Sequence, residues 1–341
     1  MNTSVSHSIN TNSDRLHAQV VLAPMEGVID AAMRRLLTDI GGYTRCVTEF
    51  IRVTDVLLPE KVFLRLCPEL ASGGTTDSAV PVYTQLLGSD AEALALNATR
   101  AAALGAPGVD LNFGCPAKTV NNSMGGSILL RTPSHVAHIV KVVRDAVPAD
   151  IPVTAKIRLG YDNSDALAEI VDGIRAAGAT ELAIHARTKF DGYKPPAWWS
   201  SVKAVVPGDD EMIFINGEIW SVEDSVKARQ SSGCNHLMLG RGALASPDLA
   251  RRILAFECGQ ASTPMQWLNI SNLVEAQFLR SDSQSPRHIG NRTKQWLAYL
   301  KRSYIEADDL FARLRTLHSV AEIQRAFEAH RCWCLANATS C

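Results

Sequence analysis

The sequence predicts an α/β protein: a (β/α)8 barrel of the TIM class followed by a small all-α helical-bundle domain. Three observations carry this expectation. Eight short apolar runs recur between residues 19 and 239, with segments of helical period between them. Near-continuous apolar strands that alternate with helices imply a parallel sheet covered on both faces, and eight such units over roughly 240 residues suit a closed barrel better than an open sheet. From Gln260 onward only helical signals remain.

The runs are Gln19–Ala23, Cys46–Glu49, Val80–Leu86, Val109–Asn112, Pro152–Ile157, Glu181–His185, Met212–Asn216 and His236–Leu239. The clearest helix lies between Asp165 and Gly178. Leu167, Ile170, Val171 and Ile174 share one face, Ser164 is a candidate N-cap, and Gly178 suits the C-terminal stop. Pro133 to Ala146 reads the same way, with Val136, Ile139, Val140 and Val143 inward. The later helices are expected at Gln266–Leu279, Asn291–Tyr304, Asp308–Leu317 and near Ala321–Glu328. The chain therefore divides into a disordered extension (1–18), a catalytic barrel (19–258), a helical domain (259–330) and a tail (331–341).

Composition narrows the function. The 341 residues carry a net charge of −1, so the whole chain exerts no general pull on nucleic acid or membrane. No apolar run approaches the roughly 20 residues of a membrane span. Eight cysteines are scattered without a Cys-x-x-Cys pair, which reads as reduced thiols in a cytoplasmic protein without a metal site. Residues 263–330 hold nine Lys/Arg against seven Asp/Glu, so the helical domain is mildly basic in a mildly acidic chain. A monomer is expected.

In a (β/α)8 barrel the chemistry sits where the strands end. Here those ends carry Pro24-Met25-Glu26, Glu49, Gln85, Asn112, Lys156, His185, Asn216 and Arg241. Asn216-Gly217-Glu218 and Gly240-Arg241-Gly242 follow the last two strands, where barrels often bind phosphate through free N–H groups. Two tight surface turns are the plainer reading. Lys156, inside a strand, must meet something negative or polar: either a flavin's anionic edge or a carboxylate on a neighbouring strand. His185 has a similar position and is structural or ligand-facing. Gln85 can both donate and accept at a ring edge. Cys115, between Gly114 and Pro116, is either inert filling or an acid held in a rigid turn; without a nearby second cysteine, a proton donor fits better than a dithiol relay.

These segments are recognisable together. Ala23-Pro24-Met25-Glu26-Gly27, Gln85-Leu86-Leu87-Gly88, Asn112-Phe113-Gly114-Cys115-Pro116, Lys156-Ile157-Arg158, His185-Ala186-Arg187-Thr188, Asn216-Gly217-Glu218-Ile219 and Gly240-Arg241-Gly242-Ala243 resemble the tRNA-dihydrouridine synthase family, in order. Thr48–Val53, Trp220 and Arg292-x-Lys294-Gln295-Trp296-Leu297-x-Tyr299-Leu300 resemble the branch acting on uridine 16 of the D-loop. One departure is Ser123-Met124-Gly125-Gly126-Ser127, where that branch often has a longer glycine run.

The resemblance implies an oxidoreductase that uses bound FMN, and NADPH as donor, to reduce a D-loop uridine of tRNA to dihydrouridine. Pro24, Met25, Glu26, Gln85, Lys156 and His185 would meet the flavin ring, while Asn216, Gly217, Glu218, Gly240 and Arg241 would hold ribityl and phosphate. Cys115 would be the proton donor and Asn112 would contact the flipped uracil. Arg52, Tyr193, Arg292, Lys294, Tyr299 and Arg315 would meet the RNA. Trp296, Leu297 and Leu300 read as helix core. Two other classes fit the residues less fully: a reductase of free pyrimidines resembling dihydroorotate dehydrogenases, and a non-catalytic tRNA-binding factor.

Overall fold

The computed structural model describes residues 18–206, 212–285 and 287–338. The expected extension at the N-terminus, up to residue 17, lies outside these, as does Cys341. Nine strands form one parallel sheet: β1 (Val20–Leu22), β2 (Arg45–Val47), β3 (Ile51–Arg52), β4 (Val82–Leu87), β5 (Val109–Asn112), β6 (Val153–Arg158), β7 (Glu181–His185), β8 (Ile213–Asn216) and β9 (His236–Leu239). Strand β1 pairs with β2 and β9, and β2 pairs with β4, which closes an eight-stranded barrel. All eight expected strands are present. The two-residue β3 was not foreseen. It exists because β2 reaches only Val82 and Tyr83 of the longer β4, and β3 covers Leu86 and Leu87 instead.

The helices before residue 259 are α1 (Ala31–Ile40), α2 (Glu60–Leu66), α3 (Ala91–Ala103), α4 (Lys118–Asn121), α5 (Pro133–Ala146), α6 (Leu167–Ala176), α7 (Val222–Ser232), α8 (Arg241–Ala245) and α9 (Leu249–Glu257). Helix α6 buries Leu167, Ile170, Val171 and Ile174 against the barrel, as its spacing demands. Each such side chain contributes about 1.5–3 kcal/mol, so a charge at Ile174 would undock the helix. Ser164 is not its cap. The helix starts two residues later than foreseen, with Ala166 in the cap position, and the Ser164 carbonyl accepts from the Leu167 N–H. Gly178 does take the left-handed conformation, at φ +88°.

Four helices follow: α10 (Trp267–Arg280), α11 (Asn291–Leu300), α12 (Glu306–Leu314) and α13 (Val320–Ala338). Helix α11 ends four residues before the expected Tyr304, and α13 runs on past Arg331 through the stretch that the sequence reading set apart as a tail. These helices dock on the barrel. Trp296, 1% exposed, donates from Nε1 to the Leu244 carbonyl of α8 at 3.1 Å, and the Met265 N–H donates to Asp248 before α9 at 2.8 Å.

Side chains alternate across each strand, so residues two apart share a face. The inward face begins with Val21, Ala23, Val47, Tyr83, Ala183, Phe214 and Met238, a small apolar cluster separate from the main core under the helices. The same alternation carries Gln85, Asn112, Lys156, His185 and Asn216 into the next layer, at the C-terminal mouth.

Candidate active site

That mouth opens on a cavity of about 670 Å³. Its lining includes Pro24, Met25, Glu26, Gln85, Asn112, Cys115, Lys156, His185, Tyr193, Asn216, Gly217, Glu218, Gly240, Arg241 and Tyr299. The structure thus gathers every residue assigned to the flavin, the thiol, Asn112 and Tyr193 and Tyr299, the two tyrosines expected at the RNA. It does not place Arg52, Arg292, Lys294 or Arg315 there. Arg52 is exposed on β3 and Arg315 is exposed after α12. Arg292 lines a neighbouring cleft with Gly27 and Asp30. Lys294, expected at the RNA, has its ammonium on the Leu317 carbonyl at 2.7 Å, which ties α11 to the residues after α12.

The loop carrying Cys115 is held from three sides. The N–H groups of Gly114 and Cys115 donate to Oδ1 of Asn112 at 2.9 and 3.0 Å. The Cys115 carbonyl accepts from Ser127 Oγ at 2.9 Å and Asn121 Nδ2 at 3.0 Å. Arg158 Nε donates to the Gly114 carbonyl at 2.8 Å, while its Nη1 donates to the carbonyls of Thr188 and Gly192 in the loop after β7. Gly126, at φ +67°, is required here: a Cβ would fall 2.8 Å from the Cys115 oxygen. Asn112, expected at the uracil, therefore has its carbonyl engaged by this loop. Burial pushes the Cys115 thiol up, outweighing a backbone N–H from Ala117, so the sulfur keeps its proton.

Basic side chains line the same cavity. Lys156 is lowered to about 8, first by burial and then by the charge of Arg158. Among the described residues no carboxylate forms an ion pair with it. Arg187, fully buried, donates Nη1 to His185 Nε2 at 3.1 Å and pairs through Nη2 with Glu218 at 2.8 Å. Glu218 also accepts from Arg241 at 2.9 Å. Partial burial works to raise the Glu218 carboxyl, but the two guanidiniums prevail and hold it low. Glu218, expected on the ribityl or phosphate, thus anchors two arginines. Arg241 lies 5.1 Å from the Trp220 ring centroid and Arg302 lies 3.9 Å from it, which joins the mouth to the segment after α11.

Arg158 and Arg187 carry much of this architecture, yet the sequence reading gave them no role. A signal was present. Arg158 stands two residues after the inward Lys156 within β6, so it faces inward too; Arg187 lies beyond the end of β7. Glu49, named above at a strand end, accepts through Oε1 from the Gly27 N–H, whereas Asp110 was given no role. Among the described residues no cluster of His, Cys, Asp and Glu is arranged for a metal, and no helix is long and apolar enough to cross a membrane.

A closed parallel barrel whose strand ends open on one cavity, lined by a thiol, an imidazole, a lysine and arginines, defines a ligand-binding enzyme of the (β/α)8 class. The sequence model of the dihydrouridine synthase (Dus) family matches residues 21–329. The chain belongs to that family. It is 49% identical over 311 residues to the tRNA-dihydrouridine(16) synthase of Shewanella oneidensis, covering 91% of this chain and 97% of that one. The protein of the same description from Pseudomonas putida is 49% identical over 308 residues, 90% and 95% of the two chains. That of Neisseria meningitidis serogroup A is 42% identical over 322 residues, 94% and 96%.

Proposed function

We propose that this protein reduces a D-loop uridine of tRNA, at position 16, to 5,6-dihydrouridine, with bound FMN and with NADPH as the electron donor. The observation that carries the reading is the one cavity that brings together Cys115, Gln85, Lys156, His185 and Arg241. Its volume lies within the range of ligand and cofactor sites.

The residues fit a flavin. Gln85 and His185 offer hydrogen bonds to a polar ring edge, and Lys156 lacks an anion that such an edge would supply. Arg241, at the mouth with Asn216 and Gly240, offers a guanidinium to a phosphate. When bound, the flavin supplies the hydride for the C5–C6 double bond. The chain's own part is positional. The Cys115 thiol, kept protonated, gives a proton to the uracil carbon that does not receive the hydride. Arg158 fixes the Gly114 carbonyl and with it the height of the thiol. Tyr193 and Tyr299 close the cavity from the loop after β7 and from α11.

Tyr299 also bears on the choice of substrate. A helix from the C-terminal bundle reaching the cavity supports a macromolecular substrate over a free pyrimidine. Lys and Arg on the same bundle would contribute phosphate contacts.

The test is direct. The purified protein should carry flavin absorbance, and tRNA from a strain lacking it should lose dihydrouridine at position 16 and recover it on incubation with the enzyme and NADPH. Retention of that dihydrouridine in the deletion strain would overturn the assignment of position. Turnover of free uracil or orotate without tRNA would favour the pyrimidine reductase.

A further inference from the structure

An unbroken line of hydrogen bonds runs from the barrel interior to the backbone of Cys115. Its sense is set from the cysteine end. Two N–H groups, of Gly114 and Cys115, converge on one side-chain atom of Asn112, and only an amide oxygen can accept both. Asn112 therefore turns its NH2 to Gln85, where Nδ2 donates to Oε1 at 2.8 Å. Gln85 must then offer its own NH2 on the far side, and Nε2 donates to Oδ2 of Asp110 at 2.6 Å. The Thr154 hydroxyl donates to Oδ1 of Asp110 at 2.5 Å. Gln85, Asp110 and Thr154 are all buried.

We propose that Asp110 is a positioning residue for Cys115: its carboxylate orients Gln85, Gln85 orients Asn112, and Asn112 holds the Gly114–Cys115 backbone. A neutral anchor would accept either face of the Gln85 amide. With the Thr154 hydroxyl on Oδ1, Oδ2 is left to accept from Gln85, which admits one face; the flipped amide would aim its NH2 at the NH2 of Asn112. A carboxylate in this place does not serve stability. Burial drives its pKa up in spite of the Gln85 and Thr154 donors, so ionising it costs folding free energy. Its meaning for catalysis rests on the reading of Cys115 as the proton donor.

The line can be reversed by substitution. Asn112→Asp alone places carboxylates on both sides of Gln85, which has one NH2 to give, so one contact fails. Adding Asp110→Asn moves the acceptor-only group to position 112. That carboxylate then takes the two backbone N–H groups and Gln85 Nε2, while Gln85 Oε1 accepts from the new amide at position 110.

Amide hydrogen exchange at Gly114 and Cys115, measured by NMR at neutral pH, reads the loop directly. Asn112→Asp is expected to speed exchange there at least about tenfold, the effect of one failed buried contact. The double variant is expected to return within about twofold of the parent, well outside additive behaviour. The denaturation midpoint and the single-turnover rate of uridine reduction should follow the same order. A double variant no better than Asn112→Asp, or an Asn112→Asp protein whose exchange matches the parent, overturns the proposal. Exchange needs no tRNA, so a relay that behaves as expected in a protein that reduces no uridine would remove the proposed function and leave the positioning role standing.

Discussion

The guanidinium of Arg187 donates to Nε2 of His185 across 3.1 Å. Arginine has no acceptor, so Nε2 holds a lone pair and the ring proton sits on Nδ1, free to point at a ligand. Burial, then the charges of Arg158 and Lys156, drive the imidazole pKa far below its ordinary value. A histidine neutral in the fold but titratable when unfolded contributes stability above its unfolded pKa of about 6.5, and loses it as pH falls through that value. Flavin affinity should therefore be flat from about pH 5.5 to 7, where an ordinary histidine changes charge and Lys156 has not begun to lose its proton. Nitrogen NMR of the His185 ring checks this: a ring that titrates in that window contradicts the assignment.

Cys115→Ala should bind flavin and consume NADPH normally, because the thiol takes no part in that half of the cycle. Uridine reduction by the pre-reduced enzyme should fall about 10²- to 10⁴-fold, the usual contribution of a positioned acid. Single-turnover measurement with tRNA separates the two halves, and an unchanged rate would move the proton donor elsewhere.

Gly217→Ala tests the packing that holds His185. Gly217 sits at φ +111°, and a Cβ there would lie 2.8 Å from Cδ2 of His185. The methyl group must push the imidazole off Arg187 or strain the turn, at about 1–3 kcal/mol. Weaker flavin binding by fluorescence titration and a lower melting temperature are expected together.

Lys156 gives a pH signature of its own. With its pKa lowered to about 8 in the free protein, it bears at lower pH a charge that no carboxylate among the described residues pairs with directly. The fold carries that penalty below pH 8 and sheds it as pH rises toward the unfolded value of 10.5. An anionic ligand needs the ammonium, so its affinity should fall as pH rises through about 8, with proton uptake on binding. Calorimetry in two buffers of different ionisation enthalpy measures this, and Lys156→Met should abolish it.

The two cations of α11 should behave differently. Arg292 faces the cleft beside Asp30, their nearest atoms 4.0 Å apart, whereas Lys294 is tied to the Leu317 carbonyl. Arg292→Ala with Arg315→Ala should weaken tRNA binding and reduce the slope of log affinity against log salt by about 2. Lys294→Ala should instead lower stability by about 1.5–3 kcal/mol, a charged hydrogen bond's worth, with little change in slope.

Eight of the nine strands, the bundle after residue 259 and the residues around the cavity were legible in the chain itself. Apolar runs and polar strand ends are local, and a (β/α)8 closure turns every strand end toward one mouth. The two-residue β3 was not legible, since it depends on β4 being longer than its neighbour β2. Nor were the partners of Arg158, whose carbonyl acceptors lie at residues 114, 188 and 192, or the entry of Tyr299 from α11. The order Thr154, Asp110, Gln85, Asn112, Cys115 crosses three strands. Sequence states which groups can donate and accept; only barrel closure and strand register bring donors and acceptors from distant segments within reach, and a hydrogen bond acts over about 3 Å.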